Sequence, residues 1–413
     1  MLMNDLAKKA AEAVDKSYLI DLAQRFIRVR SVFEPDKGNT ELEAAQFIAG
    51  ELEKLGLEPT LQEVSPGRPN VIADWSGTSF EAGNHKTLMF EGHTDVVTEG
   101  DPKTWTYDPF AAQIVEDRLY GRGSADMKGG IAAALAALKA VQQVVPDLAG
   151  RIRMGIVVDE EGLMLGIKEY IRQGWADEVD GAIICEPEEN ELCLFQKGAM
   201  RVSVQLTGVM SHGAMPYAGV NPIAALSRFI EKVKGLEQSE QARLGEHPYL
   251  GLPWLTPTIV QAPARGEAQL NVMPAEAYLA LDIRTVPGQD HDVLEQTLQS
   301  FARAIEADSP RLSIKLELFE SRPWTETPKD DPLVQALEMA YPMVLNQPPK
   351  YGGVPGATDG TFLRAWANIP IVTVGPGDRT IPHQKDEFVR LDELLSSAQL
   401  YAAAVIYYFM KEN

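Results

Sequence analysis

The sequence lacks the features of disulfide-rich, membrane-spanning and nucleic-acid-binding proteins. It contains only two cysteines, Cys185 and Cys193, so reduced thiols are expected rather than a disulfide framework. No apolar run approaches the roughly 20 residues of a membrane-spanning helix, and the N-terminal segment lacks a signal-peptide core. Basic residues number 38 against 59 acidic ones, and the net charge of -21 argues against nucleic acid and anionic membranes as partners. We therefore expect a cytoplasmic protein.

The hydrophobic pattern predicts an α/β domain. The 413 residues are enough for two domains, and 45% of them are hydrophobic. Helical periodicity covers 5–30, 40–56 and the alanine-rich stretch 131–145. Four short apolar runs are strand candidates, at 87–90, 152–158, 182–185 and 371–374. Strands that alternate with helices favour a sheet covered by helices on both faces.

The middle of the chain has a different pattern. Strand candidates with alternating apolar and polar residues lie at 200–207, 277–284 and 312–320, and helical patterns at 221–236 and 290–307. This predicts an α+β domain at 198–321, inserted into an outer domain formed by 1–197 and 322–413. The proline-rich stretch 245–266 is expected to be irregular within the insertion.

Residues that can bind metal follow the four apolar runs of the outer domain. They are His93 and Asp95 after the first run, Glu160 and Glu161 after the second, Glu186 after the third and His383 after the fourth. The glycine-rich segment 121–130 adds Asp126 just before a helix. In an open α/β sheet, ligands bind outside the carboxyl ends of the strands. The sequence therefore predicts that these side chains share one pocket.

The residue types in this pocket suit zinc chemistry. Imidazole and carboxylate groups are ligands of Zn²⁺. Two metals can share one water if a carboxylate bridges them. In the pair Glu160-Glu161, one acid can bind metal while its neighbour takes a proton from the water. Asp95 can orient His93 through the other ring nitrogen.

A series of motifs resembles that of one metallopeptidase family, whose members include acetylornithine deacetylase, succinyl-diaminopimelate desuccinylase, aminoacylase and carboxypeptidase G. The resemblance runs from about residue 20 to the C-terminus. In chain order the motifs are FEGHTDVV, LYGRGSADMKGG, VVDEEG, ICEP, GVMSHGAMPYAGVNPI, LNVMP, LDIRTVPG, GATDG and IPH.

The resemblance implies a zinc-peptidase-like mixed sheet flanked by helices, with an inserted α+β, ferredoxin-like domain that serves as dimer interface and lid. It implies two Zn²⁺ per chain, for which Co²⁺ or Mn²⁺ can substitute. One ion would be held by His93, Asp126 and Glu186. The other would be held by Asp126, Glu161 and His383, with Asp126 bridging. Glu160 would be the general base, and Asp95 would orient His93.

The resemblance also implies a reaction and its partners. In a homodimer formed through the inserted domain, His212 would reach the partner's active site and stabilise the oxyanion. Asn271, Arg284 and Gly356 would bind the carboxylate of a small substrate. The implied reaction is hydrolysis of an N-acyl amino acid by a zinc-activated water. Alternatives are a carboxypeptidase or dipeptidase, an enzyme that cuts ureido or aromatic amine C–N bonds, and a non-catalytic binder of carboxylates.

Simpler roles are open for several of these residues. Asp126 suits a helix N-terminus in any case. Arg284 could be the ion-pair partner of an acid, and Asn271, Gly356 and His212 could serve turns. The isolated histidines are interpreted as surface or packed residues; they are His85, His247 and His291.

Overall fold

A computed structural model describes residues 3–410 of the chain. The helices are α1 (Met3–Glu12), α2 (Lys16–Ile27), α3 (Leu42–Lys54), α4 (Lys128–Val144), α5 (Leu165–Arg172), α6 (Pro222–Leu244), α7 (His291–Ala307), α8 (Pro332–Leu345), α9 (Gly360–Ala367) and α10 (Leu391–Phe409). The longer strands are β1 (Thr60–Ser65), β2 (Arg68–Ser76), β3 (Thr87–His93), β6 (Arg151–Val157), β7 (Gly181–Ile184), β8 (Leu192–Gln196), β9 (Gly198–Thr207), β11 (Trp254–Gln261), β13 (Glu276–Thr285), β14 (Ser313–Arg322) and β16 (Tyr351–Val354). The short strands are β4 (Gln113–Val115), β5 (Arg118–Tyr120), β10 (Ser211–His212), β12 (Val272–Met273), β15 (Thr325–Glu326), β17 (Ile371–Thr373) and β18 (Phe388–Arg390).

The chain forms two compact units. The first comprises the described residues up to Leu194, Thr327–Gly353 and the described residues from Thr358 onward. The second comprises Phe195–Glu326 and Val354–Ala357. Within the described part of the chain, no helix is long and apolar enough to cross a lipid bilayer.

The first unit is built on a mixed sheet with the strand order β1-β2-β6-β3-β7-β17-β8. The central strands β6, β3, β7 and β17 are parallel to their neighbours in this group, and every residue of β3 is buried. Helix α4 packs on β3, and α10 packs on α4 and α8. A separate buried cluster joins α5 and α9 to the sheet through Ile167, Tyr170 and Phe362. Helices flank the sheet, as the sequence predicts, because parallel strands are buried on both faces.

The second unit has the chain order β9-α6-β11-β13-α7-β14, and its antiparallel sheet has the order β11-β13-β9-β14. This is the ferredoxin-like arrangement. Helices α6 and α7 contribute Phe229 and Leu298 to a core that contains alternate residues of β9 and β13, among them Val202, Val204 and Leu281. The fold class expected from the sequence is confirmed in both units.

One expectation for this unit is wrong. The proline-rich stretch 245–266 is not irregular throughout, because it contains β11. Strand β11 lies at an edge of the sheet and pairs with β13 alone, with a register shift between Pro257 and Ile259. An edge strand tolerates proline because one of its sides needs no N–H donor. The proline content therefore obscured a strand that the sheet accommodates.

Candidate metal centre

The parallel strands of the first unit bring four segments to one edge of the sheet. His93 is the last residue of β3, Glu160 and Glu161 follow β6, and Glu186 follows β7. His383 lies in the long loop after β17. Since parallel strands end at the same edge, these side chains converge although up to 290 positions separate them in the sequence.

Asp126 lies between the two histidines. Its Oδ1 atom is 3.2 Å from Nε2 of His93, and its Oδ2 atom is 3.4 Å from Nε2 of His383. Glu186 places Oε1 at 3.5 Å from Nε2 of His93. Glu161 places Oε1 at 3.0 Å from Nε2 of His383. One carboxylate thus faces both imidazoles with different oxygens, which is the geometry of a bridging ligand.

The potential ligand atoms form two groups in which all atoms lie within 4.8 Å of one another. The first group contains His93, Glu160 and Glu186, and the second contains Asp126, Glu161 and His383. Glu160 is therefore a member of the first group, at the place where the sequence pattern suggests a general base.

The electrostatics of the site call for positive charge. Burial, and after it the charge of Asp126, raises the pKa of Glu186 to about 8. Burial also raises the pKa of Glu160 well above its usual range, and Glu186 adds to this effect while His93 opposes it. Hydrogen bonds with Asp126 and Glu161 raise the pKa of His383 to about 10. Positive charge between these carboxylates would stabilise their ionised forms.

The donor set fits divalent cations. Each group combines one imidazole with carboxylate oxygens, and neither contains a cysteine sulfur. Zinc binds both imidazole nitrogen and carboxylate oxygen. Burial raises the pKa of Asp126, but hydrogen bonds from His383 and His93 outweigh it, so the net pKa is well below its usual range. Asp126 is therefore ionised and suited to bridge two cations.

Asp95 organises the base of the site. The Nδ1 atom of His93 lies 2.9 Å from the backbone oxygen of Asp95 and 3.6 Å from its carboxylate. The carboxylate itself accepts the backbone N–H groups of Glu160 at 3.3 Å and Glu161 at 3.0 Å. Asp95 thus contacts His93 mainly through its backbone, while its side chain holds the turn that carries both glutamates.

The segment Asp126–Gly130 owes its composition to close packing. The Lys128 side chain is fully buried, and its ammonium donates to the carbonyl of Val29 at 2.5 Å, just beyond the end of α2. A Cβ at Gly130 would lie 1.9 Å from the carbonyl oxygen of Cys185. Because Cys185 precedes Glu186, the contact brings the start of α4 directly against the strand end that carries this glutamate. The Asp126–Met127 peptide bond is cis.

The remaining predicted site residues lie in the second unit. His212 on β10 is exposed, and its Nδ1 atom accepts the N–H of Ala214 at 3.0 Å. The carbonyl of Asn271 accepts the N–H of Gly213 at 2.7 Å, which places His212 and Asn271 close together. Arg284 lies on β13, where its guanidinium binds both carboxylate oxygens of Asp282 at 2.7 and 3.1 Å.

Gly356 lies in a loop where an added Cβ would meet no atom within 4 Å. Packing within the described residues therefore does not require glycine at this position. The pairing of Arg284 with Asp282 agrees with the simpler ion-pair role considered for this arginine, and it leaves the role in substrate binding a prediction.

Residues outside the motif series, among them Arg68 and Glu387, also support the site. Arg68 on β2 binds Oδ1 of Asp159 at 2.8 Å and also pairs with Glu41. Asp159, which precedes Glu160, accepts the N–H of Leu163 at 3.0 Å. Glu387 binds the loop that leads to Asp126. The only sequence signal for Glu387 is its position four residues after His383.

A parallel-sheet edge with two carboxylate–imidazole groups around a shared aspartate is the site of a metal-dependent hydrolase. The model of peptidase family M20/M25/M40 matches residues 89–407. Because this match covers most of the chain, the protein belongs to that family. The family resemblance and the enzyme class inferred from the motifs are confirmed, and the protein is an amide-cleaving, metal-binding hydrolase.

Two relatives match over nearly their whole length. Succinyl-diaminopimelate desuccinylase 2 of Ruegeria sp. is 30% identical over 424 aligned positions, which cover 100% of both chains. A probable succinyl-diaminopimelate desuccinylase of Staphylococcus aureus is 28% identical over 396 positions, which cover 91% of this chain and 95% of the relative.

A solved structure has the same fold. The M20 family metallo-carboxypeptidase of Sulfolobus solfataricus superimposes with a TM-score of 0.74 over 94% of this chain and 99% of that one. The two sequences are 20% identical, so this likeness concerns the fold.

Proposed function

We propose that the enzyme hydrolyses the amide bond of an N-acyl amino acid, using two zinc ions bound at the Asp126 site. The observation that carries the proposal is the position of Asp126, whose two oxygens face His93 and His383 separately. The relatives named as desuccinylases support an N-acyl substrate, with N-succinyl amino acids as the first class to test. Co²⁺ or Mn²⁺ would replace zinc with retained activity.

The proposed ligands are those implied by the resemblance. His93, Asp126 and Glu186 would hold one ion, and Asp126, Glu161 and His383 the other. When bound, the ions would polarise the amide carbonyl and lower the pKa of the attacking water. Asp95 would keep the Glu160-Glu161 turn in place through its two backbone hydrogen bonds.

Glu160 is the proposed general base. It would take a proton from water as the oxygen attacks the amide carbon, and then pass this proton to the leaving amine nitrogen. The ligand atoms of Glu160, His93 and Glu186 lie within 4.8 Å of one another, so the Glu160 carboxylate is within reach of a water at this group. The same residue can therefore act as base in the first step and as acid in the second.

The second unit is proposed to bind the substrate carboxylate and to form a homodimer. Arg284, Asn271 and Gly356 are the proposed contacts of the carboxylate, with Asp282 holding the Arg284 fork in its orientation. His212 is exposed and is proposed to stabilise the oxyanion in the active site of a partner subunit. The same proposal assigns catalysis to an outer domain formed by 1–197 and 322–413. It assigns the dimer interface and the lid to an inserted domain at 198–321. A cytoplasmic location stays a prediction.

The first experiment combines metal analysis with a substrate panel. Purified protein would be assayed for zinc content and for hydrolysis of N-succinyl, N-acetyl and N-carbamoyl amino acids and dipeptides, with and without a chelator. We expect two zinc ions per chain and chelator-sensitive cleavage of N-acyl amino acids. Cleavage of dipeptides or of ureido compounds alone would replace the proposed substrate class. Failure to bind any divalent cation would refute the proposed metal site.

A variant distinguishes base from ligand at Glu160. Glu160→Gln keeps the size of the side chain but cannot accept the proton. We expect turnover to fall by about 10²- to 10⁴-fold while both cations stay bound. If Glu160→Gln loses one cation while its folding stability equals that of the wild type, Glu160 is instead a metal ligand in the first group.

Subunit mixing tests the role of His212. His212→Ala and Glu160→Ala are each expected to be inactive as homodimers. In a mixed dimer, one site combines an intact Glu160 with an intact His212 from the other chain, so activity should return. Verified mixed dimers without activity would exclude the proposed role across subunits.

A further inference from the structure

Glu387 is a buried carboxylate in the segment that follows His383. Its side chain is 0% exposed. Removing an ionised carboxylate from water is costly unless hydrogen bonds and opposite charge replace the lost hydration. The partners of this side chain should therefore reveal what it stabilises.

The Glu387 carboxylate accepts four hydrogen bonds from one short loop. The donors are the backbone N–H groups of Ala125 (3.0 Å), Asp126 (3.1 Å) and Gly123 (3.1 Å) and the guanidinium of Arg122 (2.5 Å). The backbone oxygen of Glu387 also accepts the N–H of Gly121 at 2.9 Å. A carboxylate offers about four lone-pair positions, so this loop uses the full capacity of the side chain.

These bonds connect two ligands of the same candidate metal group. Asp126 belongs to the bound loop, and its N–H is one of the donors. His383 lies in the same loop, four residues before Glu387. This loop leads directly into β18, whose Phe388 pairs with Tyr120 of β5. The intervening Asp386 is itself held by the N–H of Thr106 at 2.7 Å. Glu387 therefore sets the distance between the two loops that carry Asp126 and His383.

We propose that Glu387 is a positioning residue for the metal group of Asp126, Glu161 and His383. It binds no cation and no substrate itself. Its role is to hold the Asp126 loop against the His383 loop, so that both side chains keep the spacing that a cation needs. This inference rests on the proposed function, because it requires these three residues to bind a cation. Residues that orient metal ligands in this way contribute about 10- to 100-fold to metal affinity.

The substitution Glu387→Gln tests this role. The amide has nearly the same size, but its NH₂ group would face N–H donors and could not accept their hydrogen bonds. The matched control is Glu51→Gln, because Glu51 is also buried and paired with Arg25 but belongs to no metal group. Chelator-stripped proteins would be titrated with Zn²⁺ and Co²⁺ in equilibrium dialysis, and the absorption spectrum of bound Co²⁺ would report its coordination.

The expected result is selective. The wild type and Glu51→Gln should bind two cations per chain. Glu387→Gln should keep one cation with nearly unchanged affinity and bind the second about 10- to 100-fold more weakly. Glu387→Asp keeps the charge on a shorter side chain, and its affinity for the second cation should lie between those of the wild type and Glu387→Gln. If Glu387→Gln does not fold, Glu387→Asp takes its place in the test.

The variant His383→Ala separates failure of this inference from failure of the proposed function. If His383→Ala keeps both cations at wild-type affinity, the proposed ligands are wrong. If it loses one cation while folded Glu387→Gln or Glu387→Asp binds both as tightly as the wild type, the positioning role is wrong and the ligands stand. If Glu51→Gln loses as much cation affinity as Glu387→Gln, the loss is a general effect of removing a buried charge, and this result would also overturn the inference.

Discussion

The carboxylate of Asp95 accepts the backbone N–H of Glu161 at 3.0 Å. Asp95 follows β3, so it holds the turn that follows β6, the neighbouring strand in the sheet. The same carboxylate accepts the N–H of Glu160 at 3.3 Å. The acid after His93 thus positions the two glutamates of the site as well as the histidine. This double role explains why an acid at this position is more than a local partner of the imidazole.

We expect Asp95→Asn to impair catalysis without unfolding the protein. An amide has one oxygen for two N–H donors, so the Glu160-Glu161 turn would lose one of its hydrogen bonds. kcat or metal affinity should fall by about 10- to 100-fold. Steady-state kinetics and metal analysis would measure this effect. Asp74→Asn is the control, since Asp74 is an acid bound by Arg153 outside both metal groups. Wild-type kinetics in Asp95→Asn would contradict the role assigned to Asp95.

Removal of the cations should lower thermal stability. Without cations, burial first and the neighbouring acids after it raise the pKa values of Glu160 and Glu186, so their ionised forms are disfavoured in the folded state. Cations that bind only the folded state stabilise it by about 2.7 kcal/mol at a concentration 100 times Kd. Zn²⁺ added to stripped protein should therefore raise Tm by a few degrees in a concentration-dependent way. Mg²⁺, which prefers octahedral oxygen ligands, is the comparison ion. A Tm that does not respond to Zn²⁺, Co²⁺ or Mn²⁺ would argue against a built metal site.

Gly130→Ala should be strongly destabilising. The new Cβ would lie 1.9 Å from the backbone oxygen of Cys185, and a backbone atom cannot move aside as a flexible side chain can. We expect a loss of about 3 kcal/mol in the free energy of unfolding. Gly50→Ala is the matched control, because Gly50 is also helical but has nothing within 4 Å of its added Cβ. That change should be neutral or stabilising by up to about 1 kcal/mol. Denaturant unfolding of both variants measures the difference, and similar midpoints would disprove the packing argument.

His291 should make the stability of the protein depend on pH between 4 and 6.5. Burial lowers its pKa from 6.5 to about 4, against the opposing effect of Asp290 and Asp292. Its two ring nitrogens lie 2.8 Å from hydroxyl groups, Oγ1 of Thr285 and Oγ of Ser321. In this pH window the unfolded state binds more protons than the folded state. The contribution of neutral His291 to the free energy of unfolding is therefore fully present above pH 6.5 and is lost as the pH falls towards 4.

The variant His291→Gln isolates this contribution, which is at most about 3 kcal/mol. Denaturation midpoints of the wild type and the variant would be compared from pH 7 to pH 4. The difference between the two proteins should shrink as the pH falls. A constant difference over this range would show that His291 does not titrate with folding.

The architecture of the first unit was largely readable from local patterns. The apolar runs at 87–90, 152–158, 182–185 and 371–374 correspond to β3, β6, β7 and β17. Such runs are clear because parallel strands are buried on both faces. The helical pattern over 5–30 is less exact. The structure breaks it into α1 and α2, where Asp15 caps α2 by accepting the N–H groups of Ser17 and Tyr18 at 3.0 Å.

The positions of most candidate metal ligands could be predicted because they lie at or just after a strand end or just before a helix, whereas His383 lies in the long loop after β17 and is marked by the motif IPH. The sequence pattern also predicted that these side chains share one pocket, and the family resemblance implied that Asp126 bridges the two ions. The sequence pattern does not show that Asp126 presents different oxygens to His93 and His383, nor that the side chain of Asp95 binds the turn after β6. These facts depend on side-chain directions that only the packed sheet defines.

By itself, the sequence determined the strand ends, the residue types that gather there and the family to which the chain belongs. These properties are local, since they depend on the period of apolar residues and on short motifs. Only the tertiary structure decided which distant groups hold the site together, because their partners lie far away in the chain. Glu387 binds a loop 261 positions earlier, and Arg68 binds Asp159 across 91 positions. Such contacts form when burial forces charged groups to find partners, and no local pattern records which partner the fold supplies.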